Sequence, residues 1–110
     1  MFKRIDTVFV YVKNLRKAVA WYKKILKLDI GLDYPGYVSF KLGETYLTLI
    51  ENINQVNKEW QSFNFFVNDA KEVYAYLVKE KVKVTPIKHD CVDYFSFFDL
   101  DGNQLGICSF

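Results

Sequence analysis

The sequence has one histidine, two cysteines, two prolines and one methionine among 110 residues, and each scarcity excludes something. The lone imidazole, His89 in "IKHDC", cannot build a metal centre alone, because a divalent cation needs several spaced nitrogen, sulfur or carboxylate donors. A surface or loop position explains it. Cys91 and Cys108 form no CxxC pattern, which leaves two reduced thiols rather than a zinc ribbon or a redox pair. No apolar run approaches the ~20 residues of a membrane helix. The N-terminal "MFKRIDTVFVYV" has only a short apolar run that alternates into a strand, so no signal peptide is expected. These features predict a soluble, cytoplasmic protein with no membrane partner. Charge is also thin, at a formal net of +2. The densest basic group, Arg16, Lys17, Lys23, Lys24 and Lys27, falls in one predicted helix as a solvated face, so no nucleic-acid partner is expected.

What the chain has in quantity is hydrophobic and aromatic surface: 51% hydrophobic residues and 18% aromatics, with ten Phe, eight Tyr and two Trp. That suffices for the core of one compact domain over residues 1–110. A chain this short leaves roughly a third of its unfolded surface exposed after folding, which makes a homodimer the expected assembly.

Periodicity orders the elements. "IDTVFVYVK", residues 5–13, reads as a strand, and Asn14 offers an N-cap to "LRKAVAWYKKILKL". There Leu15, Ala18, Val19, Tyr22, Ile25 and Leu26 recur at helical spacing; Trp21 on this helix is expected in the core. Strands follow at Asp29–Tyr34, Tyr37–Leu42 and Thr45–Glu51, punctuated by Pro35-Gly36 and Gly43-Glu44. A polar connector covers residues 53–60. The order then repeats: a strand in "SFNFFVN", a helix opened by Asp69 and Glu72 in a capping-box-like arrangement with Ala70, Val73, Leu77 and Val78 on one face, and strands near Val82–Lys88, Asp93–Asp99 and Gln104–Phe110. The halves superimpose as text. Val12-Lys13-Asn14 matches Val67-Asn68-Asp69, placing Thr7 opposite Ser62; "YLTLI" matches "QLGIC", placing Thr48 opposite Gly106. The fold class is therefore α+β, two βαβββ modules related by a pseudo-twofold axis, with module one at about residues 1–52 and module two at about 61–110.

With "VFVYVKNLRKAVAWYKKILKLDIG" near the start and "FFDLDGNQLGI" near the end, the chain resembles the vicinal oxygen chelate superfamily of glyoxalases, extradiol dioxygenases, and fosfomycin and bleomycin resistance proteins. The resemblance spans essentially the whole chain. Asn14-Leu15 stands for the family's Asp-Leu turn, Trp21-Tyr22 for its Phe-Tyr, Leu26-Lys27 for its Leu-Gly, and Leu100 for the proline of its closing hairpin. It implies curved mixed sheets enclosing a cleft, often completed by dimerisation. In metal-dependent members it also implies ligands on the first and last strands of each module. This chain departs at every such position. Thr7 stands for a histidine, Thr48 for a glutamate, Ser62 for a histidine or glutamine, and Gly106 for the closing glutamate. Neutral hydroxyls and a bare backbone hold divalent cations poorly. Asp6 and Glu51 lie near two of these positions, but an odd slip in register turns a side chain to the other face of the sheet. Asp99 and Asp101 flank a turn, and turn chemistry accounts for them.

If the four positions face inward, alternation adds Phe9, Tyr46, Ile50, Asn64, Phe66, Gln104 and Cys108 to the same faces, with Trp60 and Tyr34 as rim or dimer-contact candidates. Two readings stand: a filled core, or a cavity whose rings stack on a neutral or aromatic organic ligand while hydroxyls and amides orient it. The second predicts a ligand-binding set of Thr7, Phe9, Tyr46, Thr48, Ser62, Asn64, Phe66, Gln104, Gly106, Cys108 and Trp60, with no metal, cofactor or catalytic residue. Such a protein would bind or sequester a small organic molecule. Its rivals are a divalent-metal lyase, isomerase or dioxygenase with relocated ligands, and an enzyme working through polar groups such as Asn64 and Gln104.

Overall fold

The computed structural model describes residues 1–54 and 63–110. Most of the predicted connector, with Trp60 and Ser62, lies outside the described residues. The chain divides into two compact units, Met1–Val56 and Asn57–Phe110.

In the first unit, β1 (Thr7–Val12), α1 (Leu15–Ile25), β2 (Asp29–Tyr34), β3 (Tyr37–Leu42) and β4 (Thr45–Glu51) follow in order. They form a four-stranded sheet, β1-β4-β3-β2, in which only the β1–β4 pair is parallel. Alternation sends Val10 and Val12 of β1, Val38 and Phe40 of β3, and Leu47 and Leu49 of β4 into the core with Ala18, Tyr22 and Ile25 of α1. Tyr22 is fully buried and stacks on Phe40 with ring centroids 6.0 Å apart. Trp21, expected in the core, is only half-buried, because its neighbour Tyr22 takes the inward position.

Side chains hold the helix start. The Asn14 carboxamide accepts the Lys17 N–H at 3.0 Å, and Glu51 Oε1 accepts the Leu15 N–H, also at 3.0 Å. Both contacts satisfy donors that the helix leaves orphaned. Glu51, near a ligand position in sequence, is thus a helix-capping group at the end of β4.

The second unit repeats the plan with β5 (Asn64–Phe66), α2 (Ala70–Lys79), β6 (Lys88–His89), β7 (Asp93–Phe98) and β8 (Gln104–Ser109), in sheet order β5-β8-β7-β6. Its core joins Ala70 and Leu77 of α2 to Phe95, Phe97, Leu105 and Ile107. Tyr74 packs edge-on against Phe95 at 5.3 Å. Val78, assigned to the helix's inner face from spacing, is exposed instead. Asp69 caps the helix, its Oδ1 accepting the Lys71 and Glu72 N–H groups at 3.0 and 3.4 Å.

The strand expected near Val82–Lys88 is replaced by a bridge, Val84 with Phe97, and the two-residue β6. Pro86 lacks the N–H a ladder needs. Beside it, Thr85 Oγ1 takes a carbonyl's place and accepts the Ser96 N–H at 2.8 Å.

The central ladders of the two units correspond. Phe9 faces Thr48, which faces Ser39, in the first; Asn64 faces Gly106, which faces Ser96, in the second. The textual superposition gives the matches Phe9 with Asn64 and Thr48 with Gly106; the ladders add Ser39 with Ser96.

Candidate functional site

The face of the first sheet opposite α1 carries the alternate residues of each strand. Thr7 and Phe9 come from β1, Leu32 from β2, Tyr37 and Ser39 from β3, and Tyr46, Thr48 and Ile50 from β4; with Arg4 and Asp6 at its edge they line an open recess of about 580 Å³. Phe9, Leu32 and Tyr37 expose apolar surface around it, Phe9 at 53%, whereas Ser39 and Thr48 are only 3% and 4% exposed. Apolar walls therefore surround a hydroxyl floor.

That floor has a defined polarity. Ser39 Oγ lies 2.7 Å from Thr48 Oγ1, which lies 2.7 Å from Thr7 Oγ1, which in turn donates to the Tyr46 carbonyl at 2.9 Å. A hydroxyl has one proton and a carbonyl can only accept. Thr7 spends its proton on the backbone, so it accepts from Thr48, and Thr48 in turn accepts from Ser39. Register explains the assembly: Ser39 and Thr48 are direct cross-strand partners, and Thr7, paired with Tyr46 on the parallel β1–β4 ladder, stands two residues from Thr48's partner Phe9 and so on the same face.

The walls have their own supports. Tyr37 stacks on Tyr34 with centroids 5.2 Å apart. Tyr46 reaches across β3 to Gly31, where β2 breaks register between Ile30 and Leu32. At the edge, one Arg4 nitrogen bonds Asp6 Oδ1 at 3.3 Å and the Glu44 carbonyl at 2.8 Å. This exposed pair shapes the rim more than it stabilises the fold.

Of the residues expected from sequence, Thr7, Phe9, Tyr46 and Thr48 meet in this recess, with Ile50 beside them. Asn64, Phe66, Gln104, Gly106 and Cys108 share the corresponding face of the second sheet, since Leu105, Ile107 and Ser109 are buried on the other side. Asn64 and Phe66 are exposed, Gln104 and Cys108 half-buried, and Gly106 buried. Ser39, Tyr37, Leu32 and Arg4 were not anticipated.

His89 sits on the surface with Nδ1 2.6 Å from Asp93 Oδ1, its ladder partner. Next to it the Tyr94 hydroxyl donates to Asp90 at 2.8 Å, and this bond holds the phenol above the ordinary tyrosine range. Asp99 is a turn residue. Its carboxylate accepts the N–H groups of Asp101 and Asn103 at 2.9 and 2.8 Å and the Asn103 side-chain amide at 2.9 Å.

The family model described as the Glyoxalase/Bleomycin resistance protein/Dioxygenase superfamily matches residues 4–107. The chain belongs to that superfamily. Among curated relatives, the metallothiol transferase FosB of Staphylococcus epidermidis is 30% identical over 114 aligned positions, covering 96% of this chain and 82% of the relative. Among solved structures, TnmS3, an antibiotic binding protein from Streptomyces sp. CB03234, aligns with a TM-score of 0.86 at 22% identity, covering 98% of this chain and 96% of that one. Lactoylglutathione lyase from Agrobacterium tumefaciens aligns at 0.79 and 21% identity, covering 96% and 92%. These two likenesses establish the shared α+β fold.

At the three described ligand positions, Thr7, Thr48 and Gly106, the side chains do not fit the divalent cation of metal-dependent superfamily members. Thr7 and Thr48 are neutral hydroxyls already bonded to each other, and Gly106 has no side chain. Among the described residues, no group of three or more His, Cys, Asp or Glu side chains could hold a metal.

Proposed function

We propose that this superfamily member binds a small, neutral or aromatic organic molecule without a metal, sequestering it as an antibiotic-binding or resistance protein would, and does so as a homodimer. The observation that carries this reading is the recess of the first sheet: exposed apolar side chains ring a hydrogen-bonded hydroxyl floor that includes Thr7 and Thr48, two of the positions where the family resemblance places ligands. A contiguous apolar surface around a concavity is the usual form of an organic-ligand site. The likeness to TnmS3, an antibiotic binding protein, supports the same reading.

The likeness to FosB, a metallothiol transferase, favours the alternative of a metal-dependent enzyme with relocated ligands. Elemental analysis of protein purified without chelators separates the two. The expected result is far less than one equivalent of any divalent transition metal per chain. One tightly held equivalent would establish the alternative.

A further inference from the structure

We infer that the floor of the recess selects ligands presenting a neutral hydrogen-bond donor, an O–H or N–H on an aromatic frame, and rejects ligands that can offer the floor only acceptor oxygens. This rests on the ligand-binding reading above and adds the polarity of the ligand to it.

The inference follows from proton bookkeeping in the chain Ser39, Thr48, Thr7. Each of the three hydroxyls has one proton and two lone pairs. The three protons go to Thr48 Oγ1, Thr7 Oγ1 and the Tyr46 carbonyl in turn. None remains for a ligand. Both lone pairs of Ser39 stay available, as does one each on Thr48 and Thr7, because those two already accept one bond. The floor is therefore a row of acceptors. A ligand carbonyl, ether or anionic oxygen set against it would meet lone pairs, and each buried unsatisfied acceptor costs free energy.

Other groups lining the recess do not reverse this. The donors among them, Arg4 and the phenols of Tyr37 and Tyr46, stand on exposed or half-buried side chains, whereas Ser39 and Thr48 are buried. Arg4 is further tied to Asp6 and the Glu44 carbonyl. The floor holds no carboxylate to neutralise a cation, and Asp6 is an exposed residue paired with Arg4. Desolvating an ammonium there would go uncompensated, so the donor is a neutral one. The contrast with a metal-bearing site is complete, since a cation attracts the oxygens that this floor repels.

The test compares 2-naphthol with 2-methoxynaphthalene, two neutral probes with the same ring system, of which only the first can donate. Binding is measured at pH 7 by titration on the whole protein, with amide NMR shifts reporting whether Ser39 and Thr48 sense the probe. The wild-type protein is expected to bind 2-naphthol about tenfold more tightly, with the largest shifts at those two residues. Thr48→Val keeps the side-chain shape, breaks the chain and frees the Ser39 proton, and is expected to bring the ratio to about one. Equal or tighter binding of 2-methoxynaphthalene to wild type would overturn the donor rule and leave the ligand-binding reading standing. Failure of both probes to bind up to their solubility limits would overturn both. The wild-type comparison needs no variant to fold.

Discussion

The ring of Tyr46 lies against the backbone of Gly31: a Cβ on that glycine would stand 2.8 Å from Tyr46 Cε2. The wall of the recess thus depends on a missing side chain two strands away, at the irregularity in β2. Gly31→Ala is expected to push the ring out of place, destabilise the protein by about 1 kcal/mol and weaken binding of an aromatic probe. Thermal unfolding, with a drop of about 4 °C, and ring-proton shifts of Tyr46 check it.

Asp99 closes the loop between β7 and β8 with three accepted hydrogen bonds, while Asn103 beside it is buried. Asp99→Ala would strand those donors and is expected to cost about 2–3 kcal/mol in denaturant unfolding. Leu100→Pro should act oppositely. Leu100 is exposed and occupies the first central position of the turn closed by the Gly102 N–H on the Asp99 carbonyl at 3.0 Å. Proline is favoured at that position and is expected to add about 0.5 kcal/mol.

Both helices end on a lysine in the left-handed region, Lys27 at φ +57° and Lys81 at φ +62°. After α2 the Lys81 N–H donates to the Val78 carbonyl and the Val82 N–H to the Leu77 carbonyl, at 3.0 and 2.9 Å, the paired bonds of a Schellman turn. A side chain pays for that conformation and glycine does not. Lys81→Gly is expected to stabilise the protein by about 0.5–1 kcal/mol, net of the added freedom of the unfolded chain. The reading is a higher denaturant midpoint at unchanged slope.

Where alternation and capping chemistry agreed, the sequence was legible. The strands ending at Tyr34, Leu42 and Glu51, both helix caps and the repeat of the ladder follow from period-two patterning, Asn14 and Asp69, and the Gly-containing turns. The segment before β6 was misread because its β-branched residues suggest a strand, while Pro86 and the Thr85 side chain end the pairing. In the recess, the β1 and β4 residues were found because the family resemblance points to those strands. Ser39 was missed for the same reason. Yet its signal was present: the two-residue turn Gly43-Glu44 sets Leu42 opposite Thr45, and counting back along both strands sets Ser39 opposite Thr48.

Thr48 and Gly106 occupy one place in two copies of a ladder, each facing a serine, and the backbone pairing around them is the same. The hydrogen bonds that hold β4 and β8 in their sheets belong to the main chain, and the side chains that fasten the helices lie on the opposite faces. Substitutions on the open face therefore test new chemistry without betting the whole protein on it. For an evolving lineage, that separation leaves these few side chains free to change while the scaffold is inherited intact.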